Sequence, residues 1–190
     1  MRVLAKDKGF VPVHFGSKGI AHFQIPGRSG MDNRFIMGDF FHDSLNALTS
    51  AENEQQRISQ KEFEIKLADI NNRYSSPQEN NAYFYNQQKK MLLESELISY
   101  KAQRDNYINI ALLCALNLAE QEIMNRQSYS QASIIITNIC TFLTIQNIHL
   151  SLNFPTIMKM SSLNYALMSH PSEFFSLRQA LTSLKIYLGV

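Results

Sequence analysis

The sequence is poor in residues that cross-link or interrupt a chain: its 190 residues include no tryptophan, two cysteines, five prolines and seven glycines. Two cysteines cannot build a disulfide framework, and Cys114 and Cys140 both lie in apolar runs, so we expect reduced, buried thiols. The first residues also lack an apolar stretch of signal-peptide length, so a secretory signal is not predicted. These absences favour a soluble protein in a compartment that keeps thiols reduced.

Charged residues are scarce as well, at 18% of the chain against an average of about 25%. Residues 127–158 contain no Asp, Glu, Lys or Arg, a run of 32 residues. Residues 132–152 are about long enough to span a bilayer, but they include polar side chains that hydrocarbon excludes unless they are paired. Those side chains are Asn138, Gln146, Asn147 and His149. We therefore expect this run to be buried in protein, in the core or at a subunit interface, and we predict no transmembrane helix.

Residues 1–30 differ in composition from the rest of the chain. They hold most of the seven glycines and two of the five prolines, and five basic residues against one acidic residue give them a net charge of +4. Residues 10–15 and 20–25 are typical of two short strands around a turn at 16–19. The sequence thus predicts a basic β-hairpin arm, residues 1–30, and a helical domain, residues 31–190.

The arm mixes basic and aromatic side chains, which suits contact with a protein partner. The predicted binding residues are Arg2, Lys6, Lys8, Phe10, Phe15, Lys18, Phe23 and Arg28. Single-stranded nucleic acid would accept the same mixture, through backbone charge and base stacking. Five basic residues spread over the arm make a dilute patch, and the whole chain carries only +2, so we prefer a protein partner and keep nucleic acid as the alternative.

The first long stretch after the arm predicts a helix, because residues 39–74 lack proline and glycine and are rich in helix-forming side chains. One apolar face follows a 4-3-4 spacing. It consists of Phe63, Leu67, Ile70 and Tyr74. Residues 51–57 have no large apolar side chain, so either the helix breaks near residues 49–50 or this turn faces solvent on all sides.

A second helix is predicted from a cap at Ser76, followed by a proline at the first helical position, towards Arg126. The charge-free run then predicts a helix and a strand, because residues 148–154 alternate between apolar and polar side chains. Short helices follow Pro155 and Pro171. The predicted fold class is mainly α: a helical bundle of about five helices with an N-terminal β-hairpin arm, and a small sheet between that arm and residues 148–154 is left open.

Few residues suggest a reaction. Asp39, His42 and Asp43 lie within one helical turn and could offer a metal ion carboxylates and an imidazole, but helical metal sites draw ligands from several helices and no matching second set is present. We predict a capped, acidic helix start there, with no cofactor. No GxSxG, HExxH, P-loop or dinucleotide-binding motif occurs. An enzyme would have to gather Asp39, His42, His149 and His170.

These patterns predict a non-enzymatic helical structural or adaptor subunit that docks into a larger assembly through its arm and its apolar C-terminal half. Residues 93–119 and 174–188 offer more apolar surface than a small monomer readily buries, so we expect a homo- or hetero-oligomer. The Asn, Gln, Ile and Ser content would suit a virion or secretion component. Nucleic-acid binding is the second candidate function, and metal-dependent or hydrolytic catalysis is the third.

Overall fold

The computed structural model describes residues 39–74, 80–127, 130–169 and 174–189. Before residue 39 it gives only the backbone of two short antiparallel strands, β1 (Val11–Phe15) and β2 (Ala21–Gln24). The turn between them, the boundary at residue 30 and every side chain of the predicted arm lie outside the described residues. The arm therefore stays a prediction, and so do the helix starts predicted at Ser76 and Pro171.

Five α-helices make up most of the part of the chain that the structure describes, which confirms the mainly α class and the bundle of about five helices. They are α1 (Phe40–Tyr74), α2 (Asn80–Met124), α3 (Gln131–Ile145), α4 (Phe154–Met168) and α5 (Phe175–Leu188). The first two are 35 and 45 residues long, because no proline or glycine interrupts them. Side chains cap α3 and α4: the oxygens of Ser130 and Asn153 accept hydrogen bonds from backbone N–H groups of the first turn.

The described residues form two compact units: a two-helix unit (Ala47–Ile108) and a C-terminal unit, which consists of the described residues from Asn109 onwards together with residues 39–46. In the C-terminal unit α3 packs along α5, and fully buried aliphatic side chains from α2 to α5 build the core. They include Leu112, Leu116, Ile135, Ile136, Ile139, Leu143, Leu163, Leu177 and Leu184. Burial of each such side chain stabilises by about 1.5–3 kcal/mol. Within the described residues, no helix combines the length and apolarity needed to cross a membrane.

In the two-helix unit, lysine–carboxylate pairs join α1 to α2. The pairs are Lys61–Glu96 at 3.0 Å, Lys90–Asp69 at 2.7 Å and Lys101–Glu62 at 3.0 Å. Each pair is partly exposed, so each adds little to the stability of the unit. They fix how the two helices are aligned more than they stabilise the unit.

Both expectations for residues 51–57 are wrong. Helix α1 runs through this stretch without a break, and Ala51, Glu54 and Ile58 are buried, with 0%, 6% and 1% exposure. The buried Glu54 carboxylate accepts a hydrogen bond from Arg57 at 2.9 Å. The inner face of this stretch, which has no large apolar residue, is thus formed by the small side chain of Ala51 and the ion-paired side chain of Glu54.

The apolar face predicted on α1 lies on its solvent side. Phe63, Leu67 and Ile70 are 61%, 43% and 48% exposed, and the Tyr74 side chain lies outside the described residues. The 4-3-4 spacing identified a real face, but spacing alone does not say whether that face meets the core or the solvent.

The strand predicted at residues 148–154 is wrong, because the segment has no regular secondary structure before α4 begins. The Asn109 side chain of α2 donates from Nδ2 to the Ser151 carbonyl at 3.1 Å and accepts from the Asn153 N–H at 2.9 Å. One asparagine therefore satisfies backbone groups that a neighbouring strand would have bonded. No sheet includes this segment among the described residues.

A buried carboxylate, that of Glu122 in α2, holds the first turn of α3. Its Oε1 accepts hydrogen bonds from the N–H groups of Gln131 at 2.6 Å and Ala132 at 3.1 Å, and its Oε2 accepts from the Ser130 hydroxyl at 2.7 Å. The Ser130 oxygen accepts in turn from the Ser133 N–H at 3.0 Å. Glu122 is 1% exposed, and these donors, together with the positive end of the helix dipole, stabilise its charge.

We expect Glu122→Ala to lower the free energy of unfolding by about 3 kcal/mol, because it leaves buried N–H groups at the start of α3 without an acceptor. Urea unfolding followed by circular dichroism would measure the loss. Glu120→Ala is the matched control, since it removes only the partly exposed partner of Lys159 and should cost less than about 1 kcal/mol. Equal losses in the two variants would contradict the capping role.

Candidate docking groove

An open groove of about 590 Å³ lies between α3 and α5. Both of its walls consist largely of small side chains. The α3 wall includes Ser133, Thr137, Thr141 and Thr144, and the α5 wall includes Ser176, Ala180 and Ser183. Small side chains on both sides let the backbone of another helix approach closely.

The hydroxyl groups along α3 are already used within that helix. Oγ1 of Thr137 donates to the Ser133 carbonyl at 2.8 Å, that of Thr141 to the Thr137 carbonyl at 2.9 Å, and that of Thr144 to the Cys140 carbonyl at 2.8 Å. Because these hydroxyl hydrogens are donated to α3 itself, the threonines offer a partner mainly their methyl groups. The groove is thus more apolar than its residue types suggest.

The groove is also electrically neutral, since none of the described residues that line it is charged. Amides at Asn138 and Gln179 and the apolar side chains of Ile134 and Ile145 complete the walls. A charged ligand would lose its hydration here without gaining a counter-charge. The chemistry of the groove therefore suits a neutral, mainly apolar partner.

The acidic cluster singled out in the sequence lies elsewhere, at the start of α1. Oδ1 of Asp39 accepts from the His42 N–H at 3.2 Å, and its Oδ2 contacts Nδ1 of the His42 ring. The hydrogen bond from the His42 side chain lowers the pKa of the Asp39 carboxyl, whereas burial raises the pKa of Asp43. This is the geometry of a capped helix start.

Within residues 39–74, 80–127, 130–169 and 174–189, no group of three or more His, Cys, Asp or Glu side chains could hold a metal ion. His149 is exposed on the segment before α4, beside Ser151 and Tyr187. The structure does not bring it together with Asp39 and His42. The remaining candidate, His170, lies outside the described residues.

The groove residues carry a signal that sequence reasoning missed. Ser133, Thr137 and Thr141 recur at intervals of four, which places them on one face of a helix. Read as a row rather than as scattered polar residues, they would have predicted a smooth helix face. Comparisons with protein-family models, curated proteins and solved structures found no match for this chain.

The two cysteines should differ sharply in reactivity. Burial raises the pKa of the Cys114 thiol to about 12, so very little of this thiol is ionised near neutral pH. Cys140 lines the groove and is only partly buried. We expect a thiol reagent to modify Cys140 of the native chain quickly and Cys114 only after denaturation. The Cys140→Ser variant should lose the fast reaction. Rapid modification of both thiols would show that Cys114 is not buried.

Proposed function

We propose that this protein is a non-enzymatic helical subunit that docks into a larger assembly through the groove between α3 and α5, with the N-terminal arm as a second contact. The groove belongs to the apolar C-terminal half of the chain, and the partner it fits is a helix with a neutral, apolar face. Helix-in-groove recognition is a common mode of protein docking.

The observation that carries this proposal is the absence of charge at exposed positions of α3. Burial in the core explains why the inner residues are uncharged, but the outer residues are exposed and also uncharged. They are Gln131, Ile134, Thr137, Asn138, Thr141, Thr144 and Ile145. A solvated helix face normally carries charged side chains. A neutral outer face is typical of a surface that another protein covers.

Two features, one in the groove and one in the core, argue against nucleophilic catalysis. The hydroxyls of α3 donate to main-chain carbonyls, so they are not held by a neighbouring base as a nucleophile would be. The more deeply buried thiol, Cys114, has a raised pKa, which disfavours the thiolate that nucleophilic chemistry requires.

Docking through the groove predicts that Thr141→Lys abolishes partner binding, because a desolvated charge without a counter-charge costs several kcal/mol at an interface. The matched control is Thr182→Lys. Thr182 is also an exposed threonine, and its hydroxyl donates to the Arg178 carbonyl at 2.8 Å, but it does not line the groove. Affinity capture from the native source, followed by mass spectrometry, should recover the same partners with wild type and Thr182→Lys and lose them with Thr141→Lys.

Circular dichroism should show that both lysine variants are folded, because each replaced side chain is exposed. Identical partner sets for the two variants would overturn the groove as the docking surface. Loss of partners in both would point to a general effect of added charge.

The arm's role rests on its mixture of basic and aromatic residues. We expect a chain that starts at Met31 to keep its helical circular dichroism and to melt within a few degrees of the full chain, because an isolated two-stranded hairpin is marginal in water and adds little to the helical core. The shortened chain should lose part of its partner binding. An unfolded product would place the arm in the core, and steeply salt-dependent binding of the full chain to polynucleotides would favour nucleic acid as the arm's partner.

A further inference from the structure

Helix α4 has an apolar stripe on its outer face. Its members are Phe154 at 72% exposure, Ile157 at 42%, Met158 at 54%, Tyr165 at 77% and Met168 at 62%. The opposite face of α4 is buried, through Thr156, Met160, Leu163 and Leu167. Large apolar side chains gathered along one exposed helix face are typical of a surface that binds another protein.

The stripe is neutral as well as apolar. The charged residue of α4, Lys159, is partly buried and forms an ion pair with Glu120 of α2. The other exposed residues of α4, including Ser161 and Ser162, are uncharged. A partner that lies along the stripe therefore meets no exposed charged side chain of α4 itself.

The groove and the stripe match each other in charge. Among the five described helices, only α3 and α4 have no charged residue at an exposed position. The other three expose Glu52 on α1, Lys89 on α2 and Arg178 on α5, for example. Among the described helices, the neutral wall of the groove and the neutral stripe are thus two surfaces that can meet without burying a charge.

We propose that the α4 stripe of one copy occupies the α3–α5 groove of a second copy, so that the protein self-associates head to tail. This inference rests on the proposed function, since it names the helix that the groove binds. Large side chains such as Phe154 and Tyr165 form the ridge, and small ones such as Thr141 and Ala180 form the hollow, which is the complementarity that close helix packing requires.

The available area is close to what a stable contact needs. With a full side-chain area of about 200 Å² each, the five stripe residues expose roughly 600 Å² together, against about 800 Å² per partner in a standard interface. The serines between the stripe residues add to this area. Because the two surfaces differ, each copy keeps one of them free after pairing, and further copies can add to either end.

Sedimentation velocity on five purified full-length chains, wild type and four variants, tests the arrangement. Thr141→Lys blocks the groove and Tyr165→Lys blocks the stripe, while Thr182→Lys and Tyr85→Lys are matched controls at exposed positions outside both surfaces. Wild type and the controls should grow beyond dimers as concentration rises. Each blocked variant alone should stay monomeric, with its association weakened by at least about a hundredfold.

The mixture of the two blocked variants is the decisive sample. Thr141→Lys keeps an intact stripe and Tyr165→Lys keeps an intact groove, so the two variants should pair with each other. The remaining surfaces of this dimer are both blocked, so it should not grow further. Modification of Cys140, which lines the groove, should slow in wild type as it assembles. A symmetric contact of groove with groove or stripe with stripe would instead let one of the blocked variants dimerise alone.

A monomeric wild type, a mixture that stays monomeric, or a blocked variant that assembles alone would each overturn head-to-tail pairing. The groove as a docking surface is judged separately, by partner capture. If wild type is monomeric and Thr141→Lys still loses its captured partners, the groove binds a different protein and only the second-copy inference falls. If Thr141→Lys changes neither self-association nor capture, both proposals fall.

Discussion

The C-terminal unit depends on one buried interaction, the capping of α3 by the Glu122 carboxylate. The side chain comes from α2 and accepts hydrogen bonds from Ser130, Gln131 and Ala132, so it fixes where α3 starts relative to the end of α2. The position of α3 along α5 sets the groove. A buried carboxylate without its donors would be strongly destabilising, so the same contact that stabilises the fold also shapes the surface.

Helix α3 meets two demands that usually conflict, since it must stay helical in water while it presents a neutral outer face. Charged residues normally supply the solubility and the i,i+4 pairs of an exposed helix face. Threonine has a lower helix propensity than those residues, but hydroxyls such as those of Thr137 and Thr141 bond main-chain carbonyls of α3. Threonine therefore leaves the outer face of α3 small and uncharged at some cost in helix propensity. Core packing does not require this, because these side chains are exposed.

Local patterns in the sequence predicted the helices, because helix formation depends on nearby residues: long stretches without proline or glycine became α1 and α2. Such local patterns could not predict hydrogen bonds between residues that are far apart in the sequence. The alternation at residues 148–154 is real, yet Asn109 takes the hydrogen bonds that a strand would have used. Periodicity found the face containing Phe63 but could not orient it, since spacing alone does not say whether an apolar face meets the core or the solvent. Glu122 gave no local signal, because its donors follow it by eight to ten residues.

The charge-free run, residues 127–158, also leaves open which of its residues meet the core and which lie on the surface. Residues 127–158 combine core positions such as Ile139 with exposed ones such as Thr141 and Phe154, and the sequence shows only that all of them lack charge. Burial explains the first group. For the second group, burial in the core gives no explanation, and neutrality there lowers solubility. The exposed members fall on the groove wall of α3 and on the start of the α4 stripe. The proposed pairing of two copies would explain both, because neither surface can carry an unpaired charge if the two are buried together.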